Sequence, residues 1–251
     1  MPMLNTDNAC LAVDVGVIDY AEAFALQRRL VTARKAGVVP DLLLVCQHPH
    51  VITLGRSARR EHLLATARVL AERGVTVCES DRGGDVTYHG PGQLVGYPIL
   101  NLAGLRKDVA WYVRQLEEVM IAATADFGVA ARRMEGKTGV WVDRAQGKTE
   151  KLAAIGVHLS RWVTSHGFAY NISTDLSYFH LIVPCGIAGC RAVSLDKLLG
   201  RTIDFENVSQ KIVSRFGKVF GLEMRRASRE ELESQLDSEK DAAHRLAASH
   251  A

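Results

Sequence analysis

RGGDVTYHGPGQ, residues 82–93, is the most unusual stretch of the chain. Glycine and proline fill five of its twelve positions, yet Arg82, Thr87, Tyr88 and His89 stand among them. Glycine lets a backbone come close to a ligand and reach positive φ. The stretch lacks both the Gly-Lys-Ser/Thr ending of a P-loop and the spacing of a dinucleotide fingerprint. It indicates a binding loop for a ligand of another kind, with a plain surface turn as the alternative.

Composition limits the class of protein. The 251 residues are 47% hydrophobic and 24% charged, which is typical of one globular domain with a full core. The net charge of +3 is too small to predict nucleic-acid binding. No apolar run reaches the roughly 18–20 residues that span a membrane, and Met1–Asp14 does not resemble a secretory signal. Five scattered cysteines, an odd number, favour a reducing cytoplasm over a disulfide framework. We expect a cytoplasmic monomer with no nucleic-acid or membrane partner.

The periodicity of apolar residues predicts mixed secondary structure. The clearest helix is Asp108–Phe127, and Glu61–Arg73 also has a helical pattern. Short apolar or alternating runs, such as Cys10–Ile18 and Gln93–Leu102, predict strands. Because strands and helices do not alternate strictly, the expected fold class is α+β with a mixed, largely antiparallel sheet flanked by helices.

Lys151 begins an otherwise apolar segment, KLAAIGV at residues 151–157. A lysine beside a buried strand can extend its ammonium to water, which is the common outcome. Alternatively it is desolvated, and the neutral amine then forms more readily. The segment alone leaves both interpretations open.

Cys185 lies between Pro184, whose φ is fixed, and Gly186, whose backbone is permissive. Such a turn can present a thiol, although a small buried hydrophobic residue is the alternative. Cys190 follows five residues later, but no second Cys or His pair at zinc-site spacing accompanies the two cysteines. No metal site is predicted.

Together these motifs resemble the lipoyl/octanoyl transferase family. They follow the family order across residues 10–220, and their combination is specific although no single motif is. The matching segments are His48-Pro49, Thr53–Arg56, Arg82–Gln93 with Tyr97–Ile99, Thr138–Trp141, Lys151–Gly156, His166–Ala169 with Asn171, Asp175-Leu176 with Phe179, and Pro184–Gly186.

The resemblance implies a fold similar to that of biotin protein ligases and lipoate ligases, in one catalytic domain over residues 1–227. Residues 228–251 would form a charged tail, helical or disordered. The implied activity is transfer of an octanoyl group from octanoyl-acyl carrier protein to a lysine ε-amine, the first step of endogenous protein lipoylation. The implied acceptors are lipoyl domains of 2-oxoacid dehydrogenase complexes and the glycine cleavage H protein. Neither ATP nor another cofactor is implied.

The same resemblance implies the roles of particular residues. Cys185 would be the nucleophile that carries the acyl thioester. Lys151 would lower the pKa of that thiol or exchange protons, and the sequence does not distinguish its neutral from its protonated form. The implied substrate contacts are Arg82, Gly83, Gly84, Asp85, Val86, Thr87, Tyr88, His89, Ala154, Ile155, Gly156, His158, Gly167, Phe168 and Ala169.

Three other functions fit parts of the pattern. An ATP-dependent lipoate or biotin ligase would share the fold but would need no cysteine. A non-catalytic acyl-binding relative would have no need of both Lys151 and Cys185. A cysteine hydrolase would release the acyl group to water without an amine acceptor.

Overall fold

A computed structural model describes residues 8–144, 147–184 and 190–237. The strands lie at Ala9–Val17 (β1), Asp41–Gln47 (β2), Val51–Leu54 (β3), Thr76–Glu79 (β4), Val86–His89 (β5), Gln93–Ile99 (β6), Arg132–Met134 (β7), Lys137–Asp143 (β8), Thr149–Ser160 (β9), Val163–Asn171 (β10) and Glu223–Ala227 (β11). The α-helices lie at Tyr20–Lys35 (α1), Ala67–Glu72 (α2), Leu102–Leu105 (α3), Val109–Ala125 (α4), Leu195–Leu199 (α5) and Phe205–Phe220 (α6), and residues 229–237 are also helical.

Most of the strands form one sheet with the spatial order β11-β1-β2-β6-β10-β9-β8-β7. Strand β1 runs parallel to both of its neighbours, and the remaining pairs are antiparallel. A second sheet has the order β4-β3-β5. The predicted α+β class with a largely antiparallel sheet is therefore confirmed.

Helices cover the main sheet and supply its core. Helix α4 buries Leu116 and Met120 in one apolar cluster, together with Phe216 of α6. Helix α1 buries Leu26 and Leu30 in a second cluster. The predicted helical face on α4 is confirmed at its centre, whereas Val109 at its first turn is 43% exposed.

The helix predicted over Glu61–Arg73 is wrong in its middle. A 3-10 turn forms at Arg60–His62, and α2 starts only after the N-cap Thr66, whose side chain accepts from the Val69 N–H. Between them Leu63 makes a β-bridge with Ile182, a partner far away in sequence. This tertiary pairing takes up backbone groups that a continuous helix would have used.

The helical segment at residues 229–237 packs on the domain. Leu232 and Leu236 are buried in the same cluster as α1. The boundary predicted at residue 227 stays a prediction, and residues 238–251 lie outside the described chain. No helix of the described residues is long and apolar enough to cross a membrane.

Candidate active site

A cavity of about 550 Å³ lies between the glycine-rich segment and the main sheet. Strands β9 and β10 contribute two neighbouring pieces of its wall, Ala154–Val157 and His166–Ala169. The 82–87 segment faces them and is held there by the Gly83 N–H, which donates to the Val157 carbonyl at 2.9 Å. Apolar side chains from several strands line the interior: Val86, Val95, Ile155, Val157 and Phe168.

The structure brings nearly all the predicted substrate contacts to this cavity. Those that line it are Arg82, Gly83, Gly84, Asp85, Val86, Thr87, His89, Ala154, Ile155, Gly156, Gly167, Phe168 and Ala169. Tyr88 does not: strand alternation turns it away from Thr87 and His89, and its hydroxyl lies 2.8 Å from His50 Nδ1. His158 also lies off the wall, with its Nε2 4.0 Å from Asp81 Oδ2.

Arg82 is buried, and its guanidinium holds the loop in shape. Nη2 donates to the Thr53 carbonyl at 2.7 Å, to the Thr53 hydroxyl at 2.8 Å and to the Asp85 carbonyl at 2.7 Å. Nε donates to the same hydroxyl at 3.1 Å. The side chain thus joins β3 to the cavity wall, which is a scaffolding role in addition to the predicted substrate contact.

A chain of hydrogen bonds fixes the protonation of His89. The Gln93 amide donates to the Tyr88 carbonyl (3.2 Å) and to Asn171 Oδ1 (2.9 Å), so Gln93 Oε1 is an acceptor. His89 Nδ1 lies 2.8 Å from that oxygen and therefore carries the proton. Burial, with the nearby His48 and Arg82, lowers the pKa of His89 to about 3. At neutral pH His89 is uncharged, and its Nε2 is an acceptor at the cavity.

A second buried histidine, His48, lies next to His89 and is hydrogen-bonded to Tyr97. His48 Nδ1 donates to the Ile18 carbonyl at 2.7 Å, so its Nε2 accepts from the Tyr97 hydroxyl, also at 2.7 Å. Burial lowers the pKa of His48 and raises the pKa of Tyr97 well above its usual value. Both groups are therefore neutral, and Tyr97 lines the cavity.

Several residues of the cavity wall were not predicted as substrate contacts, among them Tyr20, Tyr97 and His166. His166 is buried, and its Nε2 lies 2.5 Å from Asp81 Oδ1, while its Nδ1 has no hydrogen-bond partner within the described residues. Burial lowers its pKa even though Asp81 opposes the shift. One signal was available, because His166 directly precedes the predicted Gly167 contact.

Lys151 is 6% exposed and lines the same cavity. A β-bulge presents it: Val140 pairs with Ala153, but Trp141 pairs with Lys151, so Leu152 is the extra residue. The ammonium nitrogen lies 4.9 Å from the centre of the Trp141 ring. Of the two interpretations that the sequence left open, the structure shows a buried side chain and not one that extends to water.

The chain after residue 190 holds the backbone of Lys151. The Lys151 N–H donates to the Arg191 carbonyl at 2.8 Å, and the Val193 N–H donates to the Lys151 carbonyl at 2.9 Å. A small cavity of about 20 Å³ adjoins this pairing, and its lining includes Lys151, Pro184 and Cys190. Cys185 lies outside the described residues, so its predicted role stays a prediction.

The described residues contain no group of three or more His, Cys, Asp or Glu side chains arranged to hold a metal ion. The polar lining of the large cavity includes histidines and tyrosines together with the charged residues Arg82, Asp85, Lys137 and Lys151. An apolar wall with a few polar and charged groups is typical of a pocket for a small molecule with an apolar part.

Comparisons with known proteins agree with this site. The family model of the lipoyl protein ligase A/B catalytic domain matches residues 19–217. An octanoyltransferase of Solibacter usitatus is 50% identical over 217 residues, which cover 86% of this chain and 95% of that protein. An octanoyltransferase of Koribacter versatilis is 50% identical over 211 residues, covering 83% of each.

Solved structures confirm the predicted fold. A bipartite lipoate protein ligase from Thermoplasma acidophilum superposes with a TM-score of 0.70 at 15% identity, covering 92% of this chain and 91% of that one. A biotin protein ligase from Aquifex aeolicus, in complex with biotin and ATP, gives 0.51 at 15% identity, covering 85% and 70%. At such identities the likeness concerns the fold alone. From the family model and the closely similar relatives, the chain belongs to the lipoyl protein ligase A/B catalytic domain family and, within it, to the octanoyltransferases, which are acyltransferases.

Proposed function

We propose that this enzyme moves an octanoyl group from octanoyl-acyl carrier protein to the ε-amine of a lysine on lipoyl domains, through a thioester on Cys185. The acceptors would be the lipoyl domains of 2-oxoacid dehydrogenase complexes and the glycine cleavage H protein. The observation that carries the proposal is the buried Lys151, at the junction of a partly apolar cavity and the smaller cavity that Pro184 also lines. The 50% identity with octanoyltransferases supports octanoyl as the acyl group that is transferred.

Chain connectivity supports the pairing of Lys151 with Cys185. Adjacent Cα atoms across a trans peptide lie about 3.8 Å apart. Pro184, which directly precedes Cys185 in the chain, lines the same small cavity as Lys151. A cation near a thiol lowers the thiol pKa and raises the fraction of nucleophilic thiolate.

The first step exchanges one thioester for another. The Cys185 sulfur attacks the carbonyl of the donor thioester, a new carbon–sulfur bond forms, and the bond to the carrier thiol breaks. The proton lost by Cys185 passes to the departing carrier sulfur. The exchange is nearly isoenergetic, so it needs no nucleotide.

The protonated form of Lys151 suits this step. The face of an aromatic ring attracts a cation, and Nζ lies 4.9 Å from the centre of the Trp141 ring. The ammonium would stabilise the thiolate before attack and then supply the proton for the leaving thiol. In its neutral form after that transfer, the same amine could take a proton from the acceptor.

In the second step the acceptor amine attacks the Cys185 thioester. A carbon–nitrogen bond forms, the carbon–sulfur bond breaks, and a proton leaves the nitrogen as the thiolate is released. Replacing a thioester by an amide makes this step downhill. The acyl chain would occupy the apolar part of the cavity near Val86, Ile155 and Phe168. The total volume of the cavity is within the range of small-molecule pockets.

Mass spectrometry of the enzyme incubated with octanoyl-acyl carrier protein tests the proposal. We expect one added octanoyl group that neutral hydroxylamine removes. Cys185→Ser should remove the labile adduct, whereas Cys190→Ser, at the other cysteine near Lys151, should keep it. Lys151→Arg should abolish transfer while the protein stays folded by circular dichroism. A labile adduct in Cys185→Ser would exclude the proposed nucleophile, and full activity of Lys151→Arg would exclude an essential lysine.

A further inference from the structure

Residues 56–61 carry a positive patch on the surface. Arg56, Arg59 and Arg60 are exposed, and Glu61 is the acidic residue of the segment. The ion pair of Arg59 with Glu61 spans 3.7 Å, and both side chains are more than 70% exposed, so it neutralises little. Within residues 8–144, 147–184 and 190–237, Arg56 and Arg60 make no side-chain hydrogen bond or ion pair. We call these three arginines the arginine patch.

One side of the arginine patch is attached to the wall of the large cavity. The Arg56 N–H donates to the Arg82 carbonyl at 3.0 Å, and the Ser57 N–H donates to the Gly84 carbonyl at 3.0 Å. The Arg59 N–H donates to Asp85 Oδ1 at 3.2 Å. Because these partners line the cavity, the patch has a fixed position at its border.

The other side of the patch is attached to the segment that leads to Cys185. His62 Nδ1 lies 2.5 Å from Asp85 Oδ2, and the Val183 N–H donates to the His62 carbonyl at 2.8 Å. Leu63 pairs with Ile182 in a β-bridge. The patch therefore lies on a segment held between the acyl cavity and the chain that enters the proposed nucleophile.

We propose that the arginine patch is the docking surface for the protein that carries the acceptor lysine, and that this protein presents acidic side chains around that lysine. The inference rests on the proposed function. A lysine has only a four-carbon stem, so the folded surface around it must come close to the reacting carbon. A donor whose acyl chain arrives on a long prosthetic arm has no such constraint. A positive surface at the border of the cavity increases the rate of encounter with an acidic partner and fixes its orientation.

The test separates the two half-reactions. The charge-reversal variant Arg56→Glu/Arg59→Glu/Arg60→Glu is compared with Arg28→Glu/Lys107→Glu/Arg201→Glu, which makes the same change in net charge at exposed residues elsewhere. Each protein is first octanoylated with octanoyl-acyl carrier protein and isolated. Transfer from the acyl-enzyme is then measured to a lipoyl domain and, separately, to hydroxylamine.

We expect the patch variant to lower kcat/KM for the lipoyl domain about tenfold or more at low salt. Added salt should reduce the difference from the control variant, because screening weakens charge steering. Acylation by the carrier protein and transfer to hydroxylamine should match the control. Equal transfer to the lipoyl domain by both variants would overturn the inference, and so would a defect confined to acylation, which would assign the patch to the donor. If the unmodified enzyme forms no acyl-enzyme, the proposed function itself fails.

Discussion

The close contact between Gly139 and Lys151 gives a quantitative prediction for Gly139→Ala. Gly139 has φ +122°, a backbone conformation that side-chain-bearing residues rarely adopt. A Cβ added there would lie 2.5 Å from the Ala153 carbonyl oxygen and 2.8 Å from Lys151 Cε. The first neighbour is backbone of the adjacent strand β9, and the second is the stem of a buried side chain. A shift of the Ala153 carbonyl would disturb β9, and a shift of Lys151 would displace a residue of the cavity wall.

The expected loss of stability has two parts. Forcing a side chain into a sparsely populated backbone region costs about 1–3 kcal/mol. Overpacking a well-filled interior by one methyl group adds about 1–3 kcal/mol. Gly139→Ala should therefore lower the free energy of unfolding by about 2–6 kcal/mol. Gly128→Ala is the matched control, since its φ is +78° but its Cβ would meet nothing within 4 Å. It should show only the cost of a left-handed backbone conformation, which is about 1–2 kcal/mol.

Urea denaturation of five proteins checks the reasoning: the wild type, Gly139→Ala, the control Gly128→Ala, Lys151→Ala and the Gly139→Ala/Lys151→Ala double variant. Removing the lysine stem removes one of the two clashes, so Gly139→Ala should be less destabilising in the Lys151→Ala background. We expect a coupling free energy of about 1 kcal/mol. Equal losses for Gly139→Ala and Gly128→Ala, or additive effects in the double variant, would refute the proposed packing of Gly139 on Lys151.

Three further predictions use the same denaturation assay. Arg82→Lys loses the forked hydrogen bonds to Thr53 and should destabilise the fold by about 2–4 kcal/mol, because a single ammonium cannot reproduce them. The lowered pKa of His89, about 3 in the folded protein, means that the unfolded chain binds the extra proton below pH 6.5, so stability falls as the pH decreases from 6.5 to 3. His89→Gln should reduce the slope of the unfolding free energy against pH by about 1.4 kcal/mol per unit between pH 4 and 6. Leu232→Ala should lose about 2–5 kcal/mol if the helix at 229–237 belongs to the domain, whereas Leu64→Ala, at a residue 58% exposed, should change stability by less than about 0.5 kcal/mol.

The sequence predicted correctly those elements in which the spacing of the apolar residues matches the face that the element buries. Helix α4 was predicted nearly to the residue, because Leu116 and Met120 lie on its one buried face and Asp108 caps its start. The Glu61–Arg73 prediction failed because Leu63 pairs with Ile182, and no local pattern contains that partner. Strand β5 was missed for the same reason: its hydrogen bonds go to β3, and the surrounding glycines suggested a loop.

The candidate site was predictable where a motif is contiguous. Residues 82–87 with His89 and the Gly167–Ala169 stretch line one cavity, while their predicted contacts with substrate stay a prediction. Tyr88 does not line the cavity, because successive side chains of a strand point to opposite faces. The stretch was predicted as a loop, for which no such alternation is expected. Tyr20 was missed because it comes from the start of α1, far from every motif, and joins the wall only through the fold.

Residues 191–193 are connected by hydrogen bonds to two polar groups of the cavity, Lys151 and His89. Residues 191–193 pair with the backbone of Lys151 on both sides, through its N–H and its carbonyl. The Val193 carbonyl accepts from Asn171 Nδ2 at 3.1 Å, which leaves Asn171 Oδ1 to accept from Gln93. Gln93 in turn sets which nitrogen of His89 carries the proton. A shift of residues 191–193 would therefore reach Lys151 through two hydrogen bonds and His89 through three. The position of Lys151 and the tautomer of His89 are therefore coupled through hydrogen bonds, and a substitution at Asn171 should alter the surroundings of His89 through Gln93.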